Sequence, residues 1–167
     1  MTTATAATKI LTDARSDTLT ESEPMTAKFS LFTNDFKHMT ADLGTAVRTS
    51  NGAPRWKLRY PLDHAVREVF PEWALVKAKL PHEEFADRYI AALTKTGVDV
   101  IADRFRAIAA GVDDTRLVLL CFDDLSKPGV TCHRTVFARW WTQMTDEPVV
   151  ELGPTGPVPT PEEPGLF

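Results

Sequence analysis

The chain has 167 residues, of which 43% are hydrophobic and 25% charged, and its formal net charge is -4. This length and composition are typical of one globular domain with a core of its own. The negative charge argues against a broad nucleic-acid-binding surface but is compatible with a local basic patch. Two cysteines are too few for a disulfide framework, no signal peptide is visible, and no apolar run approaches the roughly 20 residues that cross a bilayer. We therefore expect a cytoplasmic protein with no membrane partner.

The two ends of the chain differ in composition from its centre. Residues 1–25 are rich in Thr, Ala, Ser, Asp and Glu, which predicts a disordered or loosely packed N-terminal segment. Residues 153–167 contain five prolines and three glycines, which predicts an extended Pro/Gly-rich tail. The stretch between them, residues 26–152, is predicted to be a single α/β domain.

The first half of this domain has short elements with weak patterns. Turn signals such as Asn51-Gly52 separate them. The predictions are strands over 27–32 and 46–50, a short helix or turn over 34–43, a helix over 62–69, and a segment over 74–80 that fits strand or helix.

The second half has stronger patterns. Apolar residues at steps of three and four predict helices over 83–95, 98–110 and 132–144. The unbroken apolar run 117–122 predicts a strand that is buried on both faces, and 149–152 is predicted to be its parallel neighbour. This alternation predicts a three-layer, Rossmann-like α/β fold with a mostly parallel sheet and helices on both faces.

Thiol and charged side chains cluster where the 117–122 strand ends and the next helix begins. In parallel α/β units, ligands bind beyond the carboxyl ends of the strands, where helix N-termini favour anions. An arginine there can bind a phosphate or carboxylate through two hydrogen bonds. A purely structural role, in which the arginine pairs with an aspartate and fixes the loop, fits the sequence equally well. The residues are Cys121, Asp123, Asp124, Cys132, His133 and Arg134.

A thiol, an imidazole and a carboxylate are also the ingredients of nucleophilic or acid–base catalysis, which makes Cys132, His133 and Asp123 the candidate catalytic residues. Asp123 would suit an acid or base acting on a ribosyl or glycosidic bond. A phosphatase loop is excluded, because Ala138 stands where that loop has an arginine. Zinc is disfavoured, because Cys121 brings the number of ligands to only three and adjacent Cys132 and His133 chelate poorly. No metal or other cofactor is therefore predicted.

A second candidate surface is the segment 55–60, in which basic and aromatic residues alternate. Cationic and stacking groups together are typical of sites for single-stranded nucleic acid or a nucleotide base. Arg55 is a candidate second anion clamp and Trp56 a candidate stacking residue. The simpler interpretation is a solvated strand edge with Trp56 and Tyr60 turned inward.

The run Leu119-Leu120-Cys121-Phe122-Asp123, followed by Cys132-His133-Arg134, resembles the C-terminal motif of the domain-of-unknown-function 488 family. The Pro54-Arg55-Trp56 element is similar to a Pro-Arg-aromatic element of that family, whereas 31–33 departs from its Gly-Tyr-Ser-like start. The resemblance spans residues 28–152. It implies a single Rossmann-like α/β domain of the kind found in bacteria and their phages. It implies no particular reaction.

Two functional hypotheses follow. The leading one is a site for a small anionic, phosphorylated or nucleotide-like ligand, in a protein that could be an enzyme acting on nucleotides or nucleic acid. The other is a non-enzymatic module that binds nucleic acid or a protein, including a phage accessory protein. The sequence does not predict an oligomeric state.

Overall fold

A computed structural model of the protein describes residues 27–153 and the backbone of residues 156–157. The predictions for residues 1–25, and those for most of the tail 153–167, lie outside the described residues. Gly156–Pro157, within the predicted tail, forms a short strand against the end of the domain.

The core of the fold is a parallel sheet. Its order is β3-β2-β4-β1-β5, and β6 (Gly156–Pro157) adds an antiparallel edge beside β5. The central strand β4 is completely buried over residues 117–120, which explains its unbroken apolar sequence. The five parallel strands are β1 (Ser30–Asp35), β2 (Thr45–Arg48), β3 (His64–Ala65), β4 (Arg116–Cys121) and β5 (Val149–Gly153).

Helices cover one face of this sheet. Tyr89, Phe105 and Trp141, one from each of the three longest helices, pack in a single cluster with Leu117 and Leu119 of β4. Among the described helices, none is both long and apolar enough to span a membrane. The helices are α1 (Trp73–Lys77), α2 (His82–Thr96), α3 (Val98–Ala110) and α4 (His133–Thr145).

The opposite face is covered by the connections after β1 and β2. Val118 and Leu120 pack there against Phe36, Met39 and Tyr60, and the Tyr60 hydroxyl donates to the Phe36 carbonyl at 2.7 Å. The predicted α/β class with a mostly parallel sheet is thus confirmed. On this face the cover consists of loops and the 3-10 helix Ala41–Leu43 rather than long helices, since the β1–β2 connection is short.

Local predictions were most accurate where the helical period was strong. The predicted helices 83–95 and 98–110 are confirmed as α2 and α3, and the second matches to the residue. The prediction of a helix over 62–69 is wrong. Within this segment, His64–Ala65 forms strand β3, which pairs with β2, and a 3-10 helix follows at Arg67–Val69. The strand predicted over 27–32 begins later, at Ser30.

The predicted pairing of the 149–152 strand with the 117–122 strand is also wrong. Strand β1 lies between β4 and β5 and pairs with both, so that Thr33 is opposite Leu119 on one side and Glu151 on the other. This strand order determines which side chains meet at the edge of the sheet. Glu151 of β5 and the end of β4 lie on either side of β1, and both are within reach of the start of α4.

Candidate functional site

The carboxyl edge of the sheet brings together most of the predicted site residues. Cys121 is the last residue of β4, and Cys132 occupies the N-cap position of helix α4, whose first residues are His133 and Arg134. The loop between the strand and the helix carries Asp123, whose Oδ2 atom lies 3.9 Å from the Cys121 sulfur. The end of β4 and the start of α4 therefore lie next to each other at this edge.

Arg134 is the centre of the buried part of this edge, with a relative exposure of 1%. Its Nε and Nη2 atoms donate to the two carboxylate oxygens of Glu151 at 3.0 and 2.9 Å. Its Nη1 atom donates to the Asp123 carbonyl oxygen at 2.5 Å and to the Cys121 sulfur at 2.9 Å. Burial lowers the pKa of Arg134, but its hydrogen bonds to Glu151 and the nearby thiols raise that pKa by more. The guanidinium is a buried cation whose partners come from the protein itself.

Glu151 is the site residue that the sequence analysis missed. The expected partner of Arg134 was the side chain of Asp123 or Asp124, whereas the structure uses Glu151 and only the main chain of Asp123. The Thr33 hydroxyl of β1 also donates to Glu151, at 2.5 Å. One signal was present: a lone acidic residue inside an apolar strand is rarely buried without a partner.

The two thiols lie side by side beneath this pair. Arg134 Nη1 is 2.9 Å from the Cys121 sulfur and 3.8 Å from the Cys132 sulfur. A hydrogen bond from Cys132 lowers the pKa of Cys121, and the Arg134 charge lowers it further against the effect of burial. Burial and the neighbouring Cys121 raise the pKa of Cys132. Cys121 is therefore the more readily ionised thiol of the pair.

His133 is held in one tautomer. Its Nε2 atom lies 2.9 Å from the carbonyl oxygen of Thr49, which can only accept, so Nε2 carries the proton. The other ring nitrogen, Nδ1, lies 3.6 Å from the Cys132 sulfur. Burial lowers the pKa of His133 to about 4. The imidazole is neutral at neutral pH, and its low basicity suits a general base poorly.

The exposed part of the edge is aromatic. Phe122, directly after β4, is 47% exposed, and its ring meets that of Trp56, 51% exposed, edge-on at a centroid distance of 6.1 Å. Phe122 also packs on the buried ring of Phe36. Of the predicted stacking residues, Trp56 thus faces solvent while Tyr60 turns inward. Arg55 is exposed beside Trp56.

Asp124 and its surroundings form a third group of polar side chains. Asp124 accepts hydrogen bonds from the main chain and hydroxyl of Ser126, and these lower its pKa. Asp35, which the sequence analysis did not single out, binds His38 Nδ1 through Oδ2 at 2.8 Å. Ligand atoms of Asp35, His38 and Asp124 lie within 4.8 Å of one another. Because Ser126 and His38 already bond these carboxylates, Asp124 serves mainly to shape the loop.

Comparisons with known proteins do not identify this site. No family model matches the sequence, and no match was found among curated proteins or solved structures. The resemblance to the domain-of-unknown-function 488 family therefore stays a prediction.

Proposed function

We propose that the protein binds a nucleotide-like anion at the exposed carboxyl edge of the sheet, with the base against Trp56 and Phe122. The observation that carries the proposal is the contact between these two half-exposed rings, which come from two different connections. Exposed aromatic faces are costly in water and are a common means of stacking nucleobases. Their position is the edge at which open parallel sheets bind ligands.

The phosphate of such a ligand is assigned to the basic residues beside Trp56. Arg55, Lys57 and Arg59 are all exposed, whereas the guanidinium of Arg134 is closed to solvent. Arg134 therefore supports the site from behind and does not serve as the clamp. In a chain of net charge -4, three cations within five residues form the local basic patch that an anion would need.

Any acid–base chemistry in this site is assigned to Asp123. Its side chain is exposed next to Phe122, while Arg134 holds its carbonyl oxygen. A carboxylate beside a bound nucleotide can exchange a proton with a ribosyl or glycosidic oxygen. Cys132 and His133 are buried behind it, so they support the edge rather than touch the ligand.

The test is direct binding by the purified full chain. Fluorescence anisotropy with a labelled single-stranded oligonucleotide, and calorimetry with a mononucleotide, at two salt concentrations, will distinguish polymer from small ligand. Trp56→Ala should weaken binding by about 5- to 150-fold, the equivalent of one lost stacking contact. Trp73→Ala is the matched control, because Trp73 is 56% exposed but lies in α1.

Charge provides a second readout of the same site. Arg55→Gln should reduce the slope of log affinity against log salt for the oligonucleotide by about 0.7, the value for one lost phosphate contact on a single strand. Absence of salt-sensitive binding by the unmodified protein contradicts the proposal. Equal losses in the Trp56 and Trp73 variants also contradict it.

A further inference from the structure

Three metal-binding side chains converge at the buried part of the carboxyl edge. Cys121 ends β4, Cys132 occupies the N-cap position of α4, and His133 is the first residue of that helix. One ligand atom from each lies within 4.8 Å of the other two. Two sulfurs and an imidazole nitrogen form a donor set that Zn²⁺ prefers in proteins.

We propose that Cys121, Cys132 and His133 bind one Zn²⁺ ion. This site is separate from the proposed nucleotide contacts and does not depend on them. The sequence disfavoured zinc because it offers only three protein ligands and because two of them, Cys132 and His133, are adjacent. In the structure, Cys132 is extended, with φ -142 and ψ 148, while His133 is helical, and this turn brings the Cys132 sulfur and His133 Nδ1 to 3.6 Å.

That separation is the one a tetrahedral zinc ion requires. Zn–S and Zn–N bonds of about 2.3 and 2.05 Å at a tetrahedral angle place the two ligand atoms about 3.6 Å apart. The ring is also in the correct state, because His133 donates its Nε2 proton to the Thr49 carbonyl at 2.9 Å and leaves the Nδ1 lone pair towards Cys132. A main-chain carbonyl on the second nitrogen is the usual support for a zinc-bound histidine.

The surroundings balance the charge of such a site. Two thiolates and a neutral imidazole neutralise a divalent cation, and Arg134, which donates to both sulfurs, is itself neutralised by Glu151. A buried group without net charge avoids the desolvation cost of an isolated ion. The fourth position of the tetrahedron is assigned to a water molecule, so the group keeps no net charge and Asp123 stays with the proposed nucleotide site.

The experiment is a titration of the reduced, metal-free full chain with Co²⁺ under anaerobic conditions, followed by Zn²⁺. We expect one Co²⁺ per chain, a thiolate-to-cobalt charge-transfer band with visible bands of tetrahedral cobalt, and displacement by one equivalent of Zn²⁺. Zinc should also raise the Tm of the protein. No nucleotide is present, and Trp56→Ala should give the same spectrum, so failure here is distinguishable from failure of the nucleotide proposal.

Substitutions identify the ligands. Cys132→Ser should weaken the charge-transfer band and the affinity for Co²⁺, and His133→Gln should weaken the affinity while keeping the sulfur band. His38→Gln is the control, because it removes a histidine from the neighbouring cluster with Asp35 and leaves the thiols intact. Circular dichroism checks the folding of each variant, and native mass spectrometry of the unmodified protein gives the stoichiometry without any substitution.

Three outcomes would overturn the proposal. The first is a folded, reduced protein that shows no thiolate-to-cobalt band. The second is a band that both Cys132→Ser and His133→Gln leave unchanged. The third is a protein isolated with a Cys121–Cys132 disulfide that binds no zinc after reduction, since the pair would then be a redox dithiol.

Discussion

The carboxyl edge of the sheet has two parts that use their side chains in opposite ways. In the buried part, Arg134 donates hydrogen bonds to both Glu151 and Cys121, and Arg134 and Cys121 are closed to solvent. In the exposed part, Trp56 and Phe122 touch each other edge-on and leave about half of their surface to water. The buried part, which has the more distinctive sequence, therefore has a supporting role. The exposed part beside it is the one that a ligand can reach.

The largest expected effect comes from breaking the buried pair. Glu151→Gln leaves the Arg134 charge almost fully buried without its counter-ion, which should lower the free energy of unfolding by about 3 kcal/mol. Arg134→Met should cost less, because the remaining Glu151 carboxylate is 22% exposed and can be hydrated. Urea denaturation measures both changes.

The double variant sharpens this prediction. Arg134→Met with Glu151→Gln removes both charges, so its stability should exceed that of Glu151→Gln alone. Arg88→Met with Glu84→Gln is the control, since that pair is on the surface of α2 and should contribute less than about 1 kcal/mol. Additive losses at Arg134 and Glu151 would show that the pair is not the source of the stability.

A smaller loss of stability is expected at Tyr60, which anchors the connection that carries Trp56. Tyr60→Phe removes the hydrogen bond to the Phe36 carbonyl at 2.7 Å and should cost about 1 kcal/mol. Burial, and secondarily Asp35, raise the pKa of Tyr60 to about 12. Between pH 10 and 12 the unfolded chain therefore binds fewer protons than the folded one, and stability should fall as the pH rises through this window.

The measurement is the urea midpoint at pH 8 and pH 11 for the unmodified protein and Tyr60→Phe. The fall in the urea midpoint from pH 8 to pH 11 should be smaller in Tyr60→Phe than in the unmodified protein. Burial also raises the pKa of Tyr89, so some alkaline loss should persist. If the urea midpoint falls equally in both proteins, the alkaline loss of stability comes from groups other than Tyr60.

The smallest effect on stability is expected at the exposed ring. Phe122→Ala should cost less than about 1 kcal/mol, because the side chain is 47% exposed and buries only part of its surface on Phe36. The same variant should weaken nucleotide binding as Trp56→Ala does, so stability and binding separate the two parts of the edge. A thermal melt and the anisotropy assay together check this. Normal binding by a stable Phe122→Ala protein would remove Phe122 from the proposed site.

Sequence patterns predicted the site's position better than its contacts. The apolar run ending at Cys121 and the helical period beginning near Cys132 placed the edge, because burial and amphipathicity are local signals. They did not predict Glu151 as the partner of Arg134, since that contact depends on β1 lying between β4 and β5. Strand order depends on long-range packing, and the spacing along the chain does not encode it.

What the sequence determined by itself is the α/β class, the long helices and the location of the edge. Each depends on the periodicity of neighbouring residues. The tertiary structure alone decided that Arg134 is buried against Glu151, that Trp56 and Phe122 face solvent, and that two thiols and an imidazole converge. These features join residues far apart in the chain, and only the packing of strands and helices fixes which side chains meet and which stay exposed to water.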